Sequence, residues 1–290
     1  NIDEVENLAN PFEGDASKIE TLFDNVDRVV DIKTLADKFD DAAASGVEVK
    51  PEDVLDNLEH LDDVLALDQK FDGEDGKLMN LYLNPEKAGS LKGLIDRYDQ
   101  QAEDLIFNLD ALDSIEALEQ QVDGDSAQMA ILLANPEKSN QIKTLSDRIG
   151  GNEVELLENV DQLDVIEDLT DTFDADSDSM EIIFANSAKA SKLRSLSKDL
   201  SGKEQDLLDN IDQIDVIGDL VVDYEGDPEK MDVVFRNPSK ASKIRDLNDD
   251  PDFVGQSDDL LSNIENVDNF EKDPRLLGFA KTHPEFFKLL

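Results

Sequence analysis

The chain contains no cysteine and no tryptophan, and it has only two histidines. The absence of cysteine excludes disulfides, thiolate metal ligands and cysteine nucleophiles, although it leaves the cellular compartment open. His60 and His283 are the only side chains that ordinarily titrate near neutral pH, and no serine or lysine is spaced beside a base as nucleophilic catalysis requires. No glycine-rich loop for binding phosphate is present either. The sequence therefore predicts a protein that is not an enzyme and requires no cofactor.

Long apolar runs are also missing. No uncharged segment approaches the ~20 residues that a membrane-spanning helix needs, and no apolar signal is seen at the N-terminus, so we expect no membrane insertion. The chain begins at Asn1 without an initiator methionine, and the segment 1–3 resembles the middle of a repeat unit. We therefore expect this sequence to be a segment of a longer protein.

Positive charge is scarce. The chain has 27 lysines and arginines against 71 aspartates and glutamates, which gives a formal net charge of -44. Such a chain repels nucleic acid and anionic lipid at long range, so nucleic acid is not an expected partner, whereas cations and basic proteins are. High charge with few apolar residues is also typical of disorder. Here the apolar residues are periodic, which favours a folded chain.

An internal repeat dominates the sequence. Two series of asparagines each advance with the same 51-residue period, and an apolar pair stands three and two positions before each member. The first series is Asn57, Asn108, Asn159 and Asn210, followed by Asn263, and the second is Asn84, Asn135, Asn186 and Asn237. Members of the second series fall close to midway between those of the first, so each repeat consists of two related halves.

The apolar spacing within each half indicates helix. After Asn159, apolar side chains follow at steps of three and four residues, at Val160, Leu163, Ile166, Leu169 and Phe173. No segment alternates with the two-residue period of a strand. We predict an all-α fold, an α-solenoid of 51-residue repeats, each made of two helix–corner–helix halves. Residues 1–290 would form one array, with units at 1–50, 51–101, 102–152, 153–203 and 204–256 and a partial unit at 257–290.

The landmark asparagines have a predicted local role. In the segments Asn84–Glu86 and Asn135–Glu137 a proline and a glutamate follow the asparagine, which is typical of a helix start. We predict that each asparagine side chain caps free backbone amides of the helix that follows. The alanine-, serine- and glycine-rich stretch at 41–51 lengthens the first unit, and we predict a looser loop there.

A pair of carboxylates precedes each second-series asparagine by twelve and ten positions. One interpretation is a structural corner, with glycine in the left-handed conformation and the second carboxylate capping the next helix. The other is a calcium site, because calcium prefers clustered carboxylate oxygens in glycine-bearing turns. The candidate metal ligands are Asp72, Glu74, Asp123, Asp125, Asp174, Asp176, Asp178, Glu225 and Asp227. Glu13 with Asp15, and Glu271 with Asp273, occupy equivalent positions.

Charge differs between the two halves of a repeat. The helix predicted after Asn159 contains no lysine or arginine, whereas the helix after Asn186 contains Lys189, Lys192, Arg194 and Lys198. An acidic row of helices would thus lie beside a mixed row. Either both rows are solvated outer faces, or the mixed row of one molecule meets the acidic row of another in a salt-sensitive contact.

The features together favour a structural role. The first hypothesis is a segment of a long extracellular or cell-surface repeat protein that self-associates into a filament or matrix, with calcium as a possible stabilising ion. The second is an acidic α-solenoid scaffold that binds a basic peptide or protein. An acidic surface is also typical of proteins from high-salt cytoplasm, although lysine outnumbers arginine here, which argues against that habitat.

Overall fold

The computed structural model describes residues 15–44, 46, 49–50, 53–72, 74–269 and 274–283. These residues contain 20 α-helices and ten short 3-10 helices, and no strand is found among them. The predicted all-α fold is therefore confirmed for the described part of the chain. The predicted corner residues Glu13, Gly73, Glu271 and Asp273 lie outside it.

Short and long helices alternate along the chain. The α-helices are α1 Ala16–Asp24, α2 Val29–Ala44, α3 Asp53–Asp56, α4 Leu61–Lys70, α5 Asp75–Leu83, α6 Ala88–Tyr98, α7 Gln100–Glu103, α8 Leu112–Gln121, α9 Ser126–Ala134, α10 Ser139–Ile149, α11 Glu153–Glu158, α12 Leu163–Thr172, α13 Ser177–Ala185, α14 Ser187–Asp199, α15 Glu204–Asp209, α16 Ile214–Asp223, α17 Pro228–Arg236, α18 Pro238–Asn248, α19 Ser257–Ser262 and α20 Pro274–Thr282. The 3-10 helices are Val26–Arg28, Leu58–His60, Pro85–Lys87, Asp104–Phe107, Leu109–Ala111, Pro136–Lys138, Val160–Gln162, Ile211–Gln213, Pro251–Phe253 and Ile264–Asn266.

Helix starts recur with the period of the sequence. Helices α4, α8, α12 and α16 begin at Leu61, Leu112, Leu163 and Ile214, so each start lies one full repeat period after the last. Helices α5, α9, α13 and α17 begin at Asp75, Ser126, Ser177 and Pro228, with the same spacing. Equivalent residues of successive repeats thus occupy equivalent places in their helices.

The chain divides into two compact units. The first consists of the described residues of 1–144 together with 156–160, and in it α2, α4, α6 and α8 each pack against the next in chain order. The second consists of the described residues of 145–155 and 161–290, and in it α12, α14, α16 and α18 pack in the same way. The short helices form a second set of neighbours within each unit, as α1 does with α3 and α13 with α15.

The core of each unit is built from the periodic apolar side chains. Leu163, Ile166 and Leu169, one stripe of α12, are each at most 1 % exposed. The apolar pair before most corner asparagines is also buried, as at Leu207 and Leu208, whereas Phe184 before Asn186 is half-buried. Full burial of such a side chain is worth roughly 1.5–3 kcal/mol. Because helices of this length are marginal alone, contact with neighbouring helices is what stabilises them.

The corner asparagines differ from the prediction. Asn84 stands directly before a 3-10 helix, but its side chain caps none of the amides that follow. Instead its Nδ2 donates a 2.9 Å hydrogen bond to the carbonyl oxygen of Asn80, four residues earlier. Asn57, Asn135, Asn186, Asn210, Asn237 and Asn263 make the equivalent bond. The prediction of amide capping is therefore wrong, and the asparagine side chain closes the helix before the corner.

The proline and loop predictions have different outcomes. Pro85, Pro136 and Pro238 occupy the first turn of their helices, as predicted, where the missing amide hydrogen costs no hydrogen bond. The loop predicted from residue 41 is wrong at its start, because α2 continues through Ala44. Its alanines favour helix, and Ala42 is buried.

Candidate functional site

The acidic corners are helix ends of one geometry. After α8, Asp123 and Gly124 both adopt the left-handed conformation, with φ of 51° and 63°. The amide of Gly124 donates a 2.9 Å bond to the carbonyl of Glu119, which closes the helix in the manner of a Schellman motif. Asp125 then caps α9, because its carboxylate accepts from the amides of Ala127 and Gln128.

The next two corners repeat this arrangement. Asp174 and Ala175 are left-handed after α12, as are Glu225 and Gly226 after α16. Asp176 accepts a 2.9 Å bond from the Ser179 amide, and this backbone bond lowers the pKa of Asp176. Asp227 caps α17 by accepting from the amides of Glu229 and Lys230. The corner interpretation therefore describes the roles of Asp125, Asp176 and Asp227.

The corner at Asp72 and Glu74 is less regular. Asp72 is exposed, and the Glu74 side chain makes no cap bond and pairs instead with Lys77 at 3.1 Å. Lys77 also lies over the ring of Phe71, with 4.9 Å from Nζ to the ring centroid. The Lys77 ammonium is therefore the cation that Glu74 meets in this structure.

The structure brings no calcium ligand set together within the described residues. No group of three or more histidine, aspartate or glutamate side chains there converges as a metal site requires. At Asp125, Asp176 and Asp227 a carboxylate oxygen is already used by backbone amides. Asp123, Asp174, Asp178 and Glu225 are exposed side chains. These residues do not fit a calcium site by themselves, and calcium binding stays a prediction.

The acidic and mixed rows meet inside the chain. Three mixed helices, α6, α14 and α18, have a lysine near the start that pairs with the acidic segment that follows: Lys87 with Asp113 at 2.9 Å, Lys189 with Asp212 at 3.3 Å and Lys240 with Glu265 at 2.9 Å. One to two turns later in α14 and α18, a second cation reaches back to the acidic helix before it, as in Arg194–Asp168 at 3.5 Å and Arg245–Asp219 at 3.7 Å. Helices α14 and α18 therefore hold acidic neighbours on both sides, whereas Arg97 of α6 pairs with Glu119 of α8 at 2.7 Å.

The short helices are linked by a second set of pairs. Lys230 of α17 lies 2.6 Å from Asp258 of α19, and Lys203, just before α15, pairs with Asp232 of α17. The Lys203 ammonium holds the pKa of Asp232 below its ordinary value. Many of the chain's scarce cations are thus engaged in contacts between its own helices. The carboxylates still outnumber the cations by 44.

Both histidines make local contacts. His60 ends a 3-10 helix and lies 3.4 Å from the carboxylate of Glu59, which immediately precedes it. The His283 ring lies 4.5 Å from the ring of Phe279.

Two open clefts lie beside the Asn84 corner in the first unit. One, of about 240 Å³, is lined by Val49, Asp53, Asp56, Asn57, Tyr82, Leu83, Pro85 and Glu86. The other, of about 300 Å³, is lined by Asn80, Asn84, Ile106, Phe107, Asn108, Leu109, Asp110, Ala111, Glu137 and Asn140. They flank the same chain segment, residues 80–86. We call them the first and the second corner cleft.

An exposed apolar side chain lies in each cleft. Leu83 is 47 % exposed and Phe107 is 54 % exposed. The sequence analysis missed both, although a signal is present. They immediately precede corner asparagines, where other repeats have small or charged residues: Ala134, Glu158, Ala185, Asp209, Arg236 and Ser262. Large apolar side chains at this exposed position are therefore not explained by packing of the core.

Comparison with known proteins identifies no relative. The sequence matches no protein-family model, and neither the curated proteins nor the solved structures include a significant match. Within the described residues, no helix is both long enough and apolar enough to cross a membrane.

Proposed function

We propose that this chain is a non-enzymatic structural repeat protein, an α-solenoid of 51-residue repeats within a longer extracellular or cell-surface protein that self-associates into a filament or matrix. The observation that carries the proposal is the repetition of inter-helix contacts. Helix starts recur with the repeat period, and the cations Lys87, Lys189 and Lys240 join three mixed helices, α6, α14 and α18, to the acidic segments that follow them.

Repeated contacts of this kind suit a structural array. In a repeat protein each unit is stabilised mainly by its neighbours, so the array can be extended without a new core. Apolar burial supplies most of the stabilisation, since ion pairs at a surface each contribute about 0–1 kcal/mol. The pairs instead favour one neighbouring helix over another, because the mixed helices α14 and α18 each pair with acidic segments on both sides. Intramolecular pairing of this kind leaves fewer cations for contacts between molecules.

Assembly is tested by imaging and light scattering of the purified chain over a wide concentration range, with calcium and with chelator. We expect elongated oligomers that grow with concentration. A strict monomer at high concentration in both conditions would contradict assembly. A thermal melt in the same two buffers tests whether calcium stabilises the chain. An unchanged melting midpoint would remove calcium from the proposal.

A second candidate is an acidic scaffold that binds a basic peptide. The corner clefts favour it, because each combines an exposed apolar side chain with carboxylates. Five carboxylates line them, those of Asp53, Asp56, Glu86, Asp110 and Glu137, and no lysine or arginine is among the lining residues. Binding of a lysine-rich peptide to the intact chain at low salt, and its loss at high salt, tests this function.

A further inference from the structure

The two corner clefts have the chemistry of a single docking surface. Both flank residues 80–86, so an occupant of one lies next to the other. Leu83 and Phe107 supply large exposed apolar groups in two successive half-repeats. Isolated exposed apolar residues are common, but these two stand at the same position of the repeat, immediately before the corner asparagine, where the other repeats have small or charged residues.

Charge selects the kind of occupant. Glu86, Asp110 and Glu137 are exposed, and Asp53 and Asp56 extend the same negative lining, where Lys18 Nζ lies 3.4 Å from the Asp56 carboxylate. An acidic or anionic partner would be repelled, whereas lysine and arginine side chains would find carboxylates around each apolar group. Asparagines 57, 80, 84, 108 and 140 line the clefts as well and add polar groups that can hydrogen-bond a peptide backbone.

Geometry sets the spacing of the occupant's anchors. Leu83 ends α5, and Phe107 ends the 3-10 helix 104–107, which packs directly against α5. Packed helices are separated by about 8–10 Å, and a peptide in the polyproline II conformation rises about 3.1 Å per residue with three residues per turn, so side chains three positions apart share one face. Two apolar anchors would therefore stand about three residues apart.

We propose that the two corner clefts together bind a basic peptide segment of a partner protein in the polyproline II conformation, with apolar side chains at positions i and i+3 set against Leu83 and Phe107. Lysines and arginines on either side of these anchors face Glu86, Asp110 and Glu137. The inference rests on the second proposed function and gives it a location.

The test uses fluorescence anisotropy with the whole chain and two labelled probe peptides. One has the sequence Gly-Lys-Lys-Phe-Lys-Arg-Leu-Lys-Lys-Gly, and the other has alanine in place of Phe and Leu. We expect the first to bind at least tenfold more tightly than the second. In the double variant Leu83→Ser with Phe107→Ser this preference should vanish, because both peptides would then bind only through charge. The variant pair Val222→Ser with Val254→Ser removes two apolar side chains that are 77 % exposed in the second unit, and it should retain the preference.

Two sets of neutralised carboxylates separate attraction of the peptide to the clefts from its attraction to the acidic chain as a whole. Glu86→Gln, Asp110→Asn and Glu137→Gln together should weaken binding of the first peptide at least tenfold. Glu181→Gln, Asp209→Asn and Glu229→Gln remove the same charge elsewhere and should weaken it by less than twofold. Circular dichroism of each variant checks that the helices are intact.

The outcomes distinguish the two proposals. Equal weakening by both charge sets, or an apolar preference that survives the Leu83→Ser and Phe107→Ser substitutions, would overturn the docking surface while leaving an acidic scaffold in place. Failure of the intact chain to bind either peptide at low salt would reject both. A change of oligomeric state in the Leu83→Ser and Phe107→Ser variant, measured by light scattering, would show that a second copy covers the clefts and would also overturn the proposal.

Discussion

The side-chain amide of Asn135 donates a 2.8 Å hydrogen bond to the carbonyl oxygen of Ile131, one helical turn earlier. This bond satisfies a carbonyl that the end of α9 would otherwise leave without an intrahelical partner. The same contact recurs at most of the corner asparagines, in both halves of the repeat. It explains why a residue with a side-chain donor stands at these corners.

Replacing Asn135 by aspartate should therefore destabilise the chain. Aspartate has the same shape, but its carboxylate cannot donate to the Ile131 carbonyl, so we expect a loss of about 1–2 kcal/mol in the free energy of unfolding by urea. Asp125→Asn is the matched control, because Asp125 is a true amide cap and asparagine caps equally well. An Asn135→Asp variant as stable as the parent would support the amide-capping role instead.

The left-handed corner residues should respond oppositely to reciprocal substitutions. Ala175 and Gly226 stand at equivalent positions with φ of 55° and 67°. A Cβ in this conformation costs roughly 1–2 kcal/mol, so Ala175→Gly should stabilise the chain and Gly226→Ala should destabilise it by about 1 kcal/mol. No atom lies within 4 Å of a Cβ added at Gly226, so the backbone conformation alone sets the sign of the change in the free energy of unfolding. The measurement is urea unfolding of both variants; two changes of the same sign would refute the explanation.

Ser139 should be replaceable by alanine with a gain in stability. Its side chain is fully buried, and its hydroxyl has no hydrogen-bond partner in the part of the chain that the structure describes. Equivalent positions hold Ala88, Ala190 and Ala241, all fully buried. Removing a buried hydroxyl without a partner should gain about 1 kcal/mol, as measured by urea unfolding. Ser195→Ala, at an exposed site of α14, controls for helix propensity and should gain only ~0.5 kcal/mol. An equal gain at both sites would assign the effect to propensity.

Thermal stability should rise and then fall as the solution is acidified from pH 7. Protonation of carboxylates in excess of the cations first relieves the repulsion of a net charge of -44. Asp176, Asp232 and Asp250 behave differently, because hydrogen bonds and lysine partners lower their pKa in the folded chain. A lowered folded pKa gives stability that is complete above the unfolded value of about 3.9 and is lost as pH falls through the folded value.

Circular dichroism melts across pH 2.5–7 would check this prediction. We expect the midpoint to be highest at about pH 4–5 and to drop below about pH 3.5. Asp232→Asn should reduce the drop of the melting midpoint at low pH, since the carboxylate charge that Lys203 stabilises is then absent at every pH. A midpoint that falls steadily from pH 7 would show that repulsion between carboxylates is not the main electrostatic effect.

How far the structure was predictable depends on whether residue type and spacing leave a single choice. The spacing of Leu163, Ile166 and Leu169 predicted a buried helical stripe, because helical period is a local property. Pro85 likewise marked a helix start, since proline fixes its own backbone angle. The direction in which the Asn84 side chain bonds was not predictable in this way. An amide carries both donors and an acceptor, and only the position of the Asn80 carbonyl selects between them.

The sequence by itself determined that the described chain is helical, where its helices recur, and that it is far more acidic than basic, because these follow from residue type and spacing. Only the tertiary structure decided that Lys87 reaches Asp113 and Lys189 reaches Asp212, since partners so far apart in the chain meet only after neighbouring helices pack. It also decided that Leu83 and Phe107 are exposed beside carboxylates rather than buried like the apolar residues before them. Exposure depends on which helices cover a face, and that is a property of the packed chain.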